Sequence, residues 1–391
     1  MPVEVSFSER LSRIFQLTNA FVSAGNDTEA ARNNAKELEE EILGSATSIE
    51  EYQQKLDDAV ASILSVDTQP AQTEESTEAD ELLNTEGPTF GAYCHATFHA
   101  DGLMSTVYKA KATNEAAPVR VVALKVTHPA MMGPPHNSIR EARILVKARH
   151  EHVVPLLDTI HQPGDCFILV FPFLRQDLEN LLRSGRLDKR QAGMVFDGLF
   201  SALEHIHSLG MIHRDVKPSN ILLKTMSGPV YLIDFGITWS PDDKDSEPAT
   251  SKITDVGTTC YRPPEILFGN KSYDTSLDMW AAGCVVAEMV RVGHLPIFDA
   301  GDVGSELALI KSIFTTLGTP NEETWPSSRV CPDWGKMRFQ QFPAKPWKNL
   351  LPGASEAAID FVSKTVRYEM TRRLTAGEAL KHELRSVIRA V

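Results

Sequence analysis

The stretch that decides the fold is HRDVKPSN at residues 213–220, followed by LIDFG at residues 232–236. The chain before it contains short runs rich in β-branched and aromatic residues, VRVVALKV at 119–126 and CFILVFPF at 166–173. Beyond residue 177, long amphipathic patterns at helical spacing dominate. The sequence therefore predicts an α+β fold, in which a strand-rich small lobe is joined to a helix-rich large lobe.

These two motifs resemble, in order and in spacing, the catalytic loop and the metal-binding motif of eukaryotic protein kinases. The resemblance covers about residues 90–386. It implies the bilobal protein kinase fold over residues 89–386, with a small lobe at about 89–173 and a large lobe at about 174–386. It also implies an enzyme that uses ATP and Mg²⁺ to phosphorylate Ser or Thr hydroxyls of a protein substrate.

The resemblance assigns chemical roles to four residues of the motifs. Asp215 is the carboxylate beside the attacking hydroxyl, and Lys217 steadies the transferring phosphate. Because Mg²⁺ prefers hard oxygen ligands, Asn220 and Asp234 are its expected protein ligands. All four residues are present, as an active enzyme requires.

Further positions resemble the nucleotide-binding part of the family. In VVALKV, Lys125 is expected to bind the α and β phosphates and to pair with Glu141, which lies on a predicted helix. Residues 100–107 stand where the family has GxGxxGxV, with Gly102 as the remaining glycine and Val107 as the valine. Since glycine lets backbone amides approach phosphates, we expect this loop to bind nucleotide less tightly than the family pattern does.

The segment FILVFPFLRQDLENLL at 167–182 is expected to connect the two lobes. Adenine is expected to bind its backbone at about residues 172–174, which include Phe173 and Leu174. Asp177 is the candidate for a ribose contact.

Other residues are expected to support the site structurally. Thr258, in VGTTCYRPPE, is placed to hydrogen-bond the catalytic aspartate and lysine, and Asp278 to hold the catalytic-loop backbone. Glu265 is expected to form a buried ion pair with Arg373, since a lone buried charge is costly. An apolar column that aligns the lobes is expected from Leu145, Leu156, His213 and Phe235.

The insert LIKSIFTTLGTPNEETWPSSRVCPDW at 309–334 resembles the cyclin-dependent kinases, as does SIRE at 138–141, which in that group contacts a cyclin. The preceding PPHN departs from the group's pattern, so a cyclin partner is left open. Leu103 and Met104 stand where the group has inhibitory Thr and Tyr sites. Neither can be phosphorylated, so that form of inhibition is absent.

The activating threonine of the group falls on Ile253, with Thr254 next to it as the nearest acceptor. Of the three basic residues that bind its phosphate, Arg140 and Arg214 are present, but Trp239 takes the third position. Because a phosphate orders a loop through such donors, we expect reduced dependence on phosphorylation of this loop. The profile resembles the fungal cyclin-dependent-kinase-activating kinases, which predicts a monomer and another cyclin-dependent kinase as a candidate substrate.

The negative charge of the chain is concentrated at its start. Residues 1–86 carry 19 acidic and 5 basic side chains, whereas the rest carries 33 and 34. The sequence predicts an acidic helical segment at 1–65, including helices at 27–43, ended by Gly44, and from Ser48 onwards, and then a flexible linker at 66–88. The segment is either a partner-docking hairpin or a small solvated bundle.

Composition excludes several classes of function. The five cysteines are far apart and form no CxxC pair, which fits neither a disulfide framework nor a zinc site. The charge balance argues against binding to nucleic acid or to an anionic membrane. No secretory signal or apolar run of the roughly 20 residues needed to cross a bilayer is present, so we expect a cytoplasmic or nuclear protein.

Two alternatives to an active kinase fit parts of the sequence. The loss of glycines at residues 100–107 would suit a pseudokinase that binds nucleotide without turnover. The acidic helices would suit an adaptor scaffold in which catalysis is secondary.

Overall fold

The computed structural model describes residues 10, 13–14, 17–18, 21, 28–46, 48–65, 87–114, 119–301 and 304–389. The chain divides into two compact units, residues 1–78 and 79–391. The predicted linker at 66–88 lies almost wholly outside the described residues, so it and the predicted domain boundaries stay predictions. Among the described residues, no helix combines the length and the apolar character that crossing a bilayer requires.

The described part of the first unit includes two helices with defined bounds, α1 (Thr28–Ser45) and α2 (Ile49–Ser65). Ser48 begins α2, since its Oγ accepts a hydrogen bond from Glu51 N at 3.1 Å. The buried Glu39 accepts from Tyr52 Oη at 2.7 Å and pairs with Arg10 at 2.6 Å. A small apolar core surrounds this polar group, formed by Leu17, Ala35, Ile42, Ala46, Tyr52 and Leu56.

The prediction that α1 ends before Gly44 is wrong, because the helix continues through Gly44 to Ser45. A glycine inside a helix costs only about 1 kcal/mol relative to alanine. Ile42 is buried in the core of this unit, and Lys55 Nζ donates to the Ser45 carbonyl oxygen at 3.1 Å. Packing and this bond to the last carbonyl outweigh the glycine.

The second unit begins with a five-stranded antiparallel sheet, in the order β1-β2-β3-β5-β4. Its strands are β1 (Tyr93–Gly102), β2 (Ser105–Ala112), β3 (Val121–Thr127), β4 (Asp158–Gln162) and β5 (Cys166–Pro172). Residues 167–170 of β5 are all buried, as expected of a strand covered on both faces. Helix α3 (Ser138–Lys147) begins at Asn137, whose Oδ1 accepts from Arg140 N at 2.8 Å.

The rest of the described second unit is mainly helical and contains one small antiparallel sheet, β6-β7-β8. Its strands are β6 (Gln176–Asp177), β7 (Ile221–Leu223) and β8 (Val230–Leu232). The helices are α4 (Leu178–Arg183), α5 (Lys189–Ser208), α6 (Pro264–Leu267), α7 (Ser276–Val290), α8 (Glu306–Leu317), α9 (Trp347–Leu350), α10 (Glu356–Thr365), α11 (Ala376–Ala379) and α12 (Leu384–Arg389). Residues 277–289 of α7 are all buried, which makes α7 the centre of this lobe. The predicted α+β architecture with two lobes is confirmed.

Candidate active site

Three charged side chains meet between the sheet, helix α3 and the segment after β8. Lys125 Nζ, on β3, donates to Glu141 Oε1 at 2.8 Å and to Asp234 Oδ1 at 2.7 Å. Burial disfavours the charged form of Lys125, but the two carboxylates outweigh it and raise the pKa of the ammonium above its usual value. Burial also opposes ionisation of Asp234, yet Lys125 holds the pKa of its carboxyl below the usual range. Lys125 and Asp234 are therefore both charged at neutral pH.

The Asp215 carboxylate is held by groups from its own loop and from the activation segment, here residues 234–265. Thr258 donates to Asp215 Oδ1 through its Oγ1 at 2.8 Å and its backbone N at 2.9 Å. Lys217 Nζ donates to Thr258 Oγ1 at 2.8 Å and lies 2.9 Å from Asp215 Oδ2. Asn220 Nδ2 donates to the Asp215 carbonyl oxygen at 2.7 Å. The orientation of the carboxylate is thus fixed from both segments.

Helix α7 holds the backbone of the catalytic loop through hydrogen bonds. Asp278 is fully buried and accepts from His213 N at 2.8 Å and Arg214 N at 2.9 Å. His213 Nε2 lies 3.0 Å from the Ile233 carbonyl oxygen, and its ring stacks edge-on to Phe235 at 4.8 Å. Leu145, Leu156 and Phe235 belong to the same apolar core. These contacts link the catalytic loop to the segment that carries Asp234.

Glu265 and Arg373 form a buried ion pair at the end of the activation segment. Arg373 Nη1 donates to Glu265 Oε1 at 2.5 Å and Nη2 donates to Oε2 at 2.7 Å. Arg373 also donates to the Ser276 carbonyl oxygen at 3.0 Å. Both charges are satisfied by this bidentate geometry, which joins helix α6 to the C-terminal part of the lobe.

The predicted phosphate loop is a tight hairpin between β1 and β2. Gly102 pairs with Ser105 across it, and Leu103 lies at the tip with 82% of its surface exposed. A Cβ at position 102 would lie only 3.0 Å from Ser105 Oγ, so a glycine here relieves crowding. Val107 lies directly opposite Lys125 in the β2-β3 register, which brings it next to the charged cluster.

The predicted connection between the lobes follows β5. Phe173 carries Lys109 Nζ over its ring at 5.1 Å, and Leu174 is buried. Asp177 caps helix α4, accepting from Asn180 N at 2.7 Å and from Asn180 Nδ2 at 2.6 Å. Both carboxylate oxygens thus have a protein partner, and the ribose contact of Asp177 stays a prediction.

Arg214 has a carboxylate partner that the sequence analysis missed. Its Nη2 lies 2.9 Å from Glu247 Oε2, whereas Arg140 donates to the carbonyl oxygens of Pro135 and, at 3.1 Å, of Asp245. Thr254 is half-buried in the following loop. The acidic run DDKDSE at 242–247 is the sequence signal for these contacts, but local spacing does not assign its partners, because the arginines lie 33 to 105 residues earlier in the chain.

The donor set suits a nucleotide phosphate with a divalent cation. Asp215, Asn220 and Asp234 offer carboxylate and amide oxygens, the hard ligands that such cations prefer, and Lys125 offers a cation for phosphate. Asp234 adopts φ +62°, in the left-handed region that costs a non-glycine residue of order 1–3 kcal/mol. That conformation turns its carboxylate towards Lys125. The residues present therefore fit a nucleotide phosphate with a divalent cation.

Comparison with known proteins agrees with this geometry. The family model described as "Protein kinase domain" matches residues 100–384, well over half of the chain. The chain is also similar to the serine/threonine-protein kinase csk1 of Schizosaccharomyces pombe, with 35% identity over 272 residues. The alignment covers 68% of this chain and 86% of csk1. These findings give the pseudokinase alternative no support.

Proposed function

We propose that this chain, which belongs to the protein kinase domain family and is an ATP-dependent serine/threonine kinase, phosphorylates a cyclin-dependent kinase. The proposal is that it acts as a cyclin-dependent-kinase-activating kinase. It is supported by the insert at 309–334, which resembles the cyclin-dependent kinases, and by Leu103 and Met104 in place of inhibitory phosphorylation sites. An enzyme that activates such kinases gains from lacking their inhibition.

Two observations carry the catalytic part of the proposal: the hydrogen-bonded cluster of Lys125, Glu141 and Asp234, and the Asp215 carboxylate held by Thr258. In this proposal Asp215 accepts the proton of the substrate hydroxyl, and its orientation by Thr258 aims the carboxylate at that hydroxyl. Lys125 binds the non-transferred phosphates and is held by Glu141. Its charge is retained at neutral pH, because the two carboxylates raise the pKa of the ammonium.

Lys217 also has a role in the proposed mechanism. Its Nζ lies 2.9 Å from Asp215 Oδ2 and carries a positive charge at the edge of the catalytic carboxylate. A cation there stabilises negative charge that develops on the transferred phosphoryl group. Thr258 bonds both side chains, so it couples the position of Lys217 to that of Asp215.

We infer that the divalent cation of the reaction is Mg²⁺ and that Asn220 and Asp234 hold it. When bound, the ion neutralises charge on the nucleotide phosphates. Asn220 also donates to Asp215 Oδ2 at 3.0 Å, so its amide oxygen is left for a cation while its Nδ2 orients the base. The further proposals are a monomeric enzyme of the cytoplasm or nucleus, active without a cyclin.

The test is a phosphorylation assay with the purified full chain. A catalytically dead cyclin-dependent kinase and a Ser-Pro peptide serve as substrates, each with and without cyclin, and the Asp215→Asn variant is the control. We expect label on the cyclin-dependent kinase from the wild type without cyclin and none from the variant. Label on the peptide alone would refute the proposed substrate and leave the catalytic roles intact.

A further inference from the structure

Three carboxylates at alternate positions of the activation segment face arginines. Arg143, on helix α3, donates through Nε to Asp243 Oδ2 and through Nη2 to Asp243 Oδ1, both at 2.9 Å. The same Nη2 lies 2.6 Å from Asp245 Oδ2. Two hydrogen bonds to one carboxylate give the Asp243 pair directional strength that a single surface contact lacks.

The third carboxylate, Glu247, binds the catalytic loop. Arg214 is fully buried and donates to Glu247 Oε1 at 3.2 Å and Oε2 at 2.9 Å. Burial opposes ionisation of Glu247, but the hydrogen bond and charge of Arg214 outweigh it and hold the pKa of the carboxyl below its usual value. Trp239 Nε1 donates to the Glu247 carbonyl oxygen at 2.8 Å, which fixes the backbone as well.

A second anchor holds the segment a few residues further on. Lys252 Nζ lies over the ring of Trp239 at 4.5 Å and donates to the carbonyl oxygens of Ala249 at 2.6 Å and Tyr273 at 2.8 Å. Lys252 is buried, so these contacts are formed away from solvent. The chain from Trp239 to Lys252 is therefore tied down at both ends.

The two arginine partners of this segment lie next to two residues on which the proposed mechanism depends, Glu141 and Asp215. Helix α3 carries Arg143 two residues after Glu141, the partner of Lys125. Arg214 directly precedes Asp215 in the catalytic loop. A segment bonded to both arginines thus fixes the nucleotide-binding lysine and the catalytic base relative to each other.

We propose that Asp243, Asp245 and Glu247, the acidic clamp, are positioning residues that hold helix α3 and the catalytic loop in their catalytic arrangement without a phosphate on the activation segment. A carboxylate bonded by two guanidinium N–H groups supplies the charge-assisted contact that a phosphate would otherwise supply. The clamp is encoded in the sequence and needs no modifying enzyme. The inference rests on the proposed catalytic roles of Lys125 and Asp215, and not on the choice of substrate.

The proposal predicts different kinetic effects at the two ends of the clamp. Asp243→Asn loosens helix α3 and is expected to raise the KM for ATP by about threefold or more. Asp243→Glu keeps the charge, so its KM for ATP is expected to stay near the wild-type value. Glu247→Gln acts through Arg214 and is expected to lower kcat by about tenfold with little change in the KM for ATP. Asp242→Asn removes an exposed carboxylate of the same acidic run and is the matched control, with wild-type values expected.

The assay uses full-length protein treated with phosphatase, its intact mass checked, and a generic Ser-Pro peptide as substrate. Wild-type kcat is expected to survive the treatment. A loss of activity that returns on rephosphorylation of the activation segment overturns the clamp, whether or not the variants fold. Variants that match Asp242→Asn in both constants overturn it as well.

A measurement that needs no substrate separates this inference from the proposed function. Hydrogen exchange of the amides at 138–147 is expected to quicken in Asp243→Asn relative to wild type and to stay unchanged in Asp242→Asn. Equal exchange in the two variants would contradict the clamp, even if no protein substrate is found. Conversely, faster exchange together with failure to label a cyclin-dependent kinase would uphold the clamp and refute only the substrate.

Discussion

Replacing the buried carboxylate of helix α7, Asp278→Asn, tests how the catalytic loop is held. The carboxylate accepts from His213 N at 2.8 Å and from Arg214 N at 2.9 Å, and His207 Nε2 lies 2.9 Å from Oδ2. An asparagine has one acceptor oxygen, and its NH₂ group would face a donor. At least one of the three partners is then left unsatisfied in the interior.

The expected size of the effect follows from these contacts. Hydrogen bonds to a charged group contribute roughly 1.5–3 kcal/mol each, and an unsatisfied buried donor costs roughly 1–3 kcal/mol. A free-energy loss of about 4 kcal/mol lies within the range for breaking one side of a buried charged group. At about 2–4 °C per kcal/mol for a large domain, the unfolding temperature falls by about 8–16 °C. Because the loop carries Asp215, kcat is expected to fall at least tenfold, about 1.4 kcal/mol or more.

The measurement pairs thermal unfolding with steady-state kinetics at a temperature where both proteins are folded. Asp274→Asn is the control, since Asp274 is exposed and accepts from Ser276 N at 2.9 Å near the start of the same helix. It is expected to shift unfolding by no more than about 2–4 °C, the effect of a lost helix-start contact of about 1 kcal/mol. If Asp278→Asn unfolds at the same temperature as the control and keeps the wild-type kcat, the role of Asp278 in holding the catalytic loop is refuted.

Three more predictions follow from individual contacts. Burial raises the pKa of Glu288 to about 7, although Tyr261 Oη donates to it at 2.9 Å, so the folded protein keeps a proton that the unfolded chain loses from about pH 4.5 upwards. Glu288→Gln should therefore stabilise the protein by up to about 3 kcal/mol at pH 8, and this gain in stability should become smaller as the pH falls towards 5. Thermal unfolding measured across this pH range checks the prediction, and a gain that does not change with pH would contradict it. Glu141→Gln removes the buried charge that holds Lys125 and should lower kcat/KM for ATP by about a hundredfold, with unchanged values counting against the role. Ser105→Gly restores a glycine to the phosphate loop and should lower the KM for ATP by about twofold or more, whereas a higher KM would show that the serine favours binding.

The approximate positions of the central residues could be predicted from the sequence because each residue lies in a short, local motif. Lys125 follows an apolar strand pattern, and Asp215 and Asn220 lie in one loop, so their approximate positions follow from the chain itself. The pair Glu265 and Arg373 was also predicted, through the resemblance, although its members are 108 residues apart. A family resemblance can predict such long-range pairs, whereas residue spacing alone cannot predict them.

The acidic clamp was not predicted because charge pattern alone does not choose partners. Asp243 and Glu247 lie in an acidic run, and their arginines lie 100 and 33 residues earlier. Only the folded activation segment brings them together. The end of helix α1 was misplaced for a similar reason, since a contact from Lys55 on the next helix, invisible to local propensity, satisfies its last carbonyl.

In the proposed mechanism, phosphoryl transfer depends most directly on Asp215 as the catalytic base. The deciding measurement is the rate of transfer of labelled γ-phosphate from ATP to a dead cyclin-dependent kinase by the purified full chain, compared with its Asp215→Asn variant. We predict steady incorporation by the wild type and a rate lower by at least about a thousandfold in the variant, near the loss expected of a missing general base. Equal rates for the two proteins would contradict it.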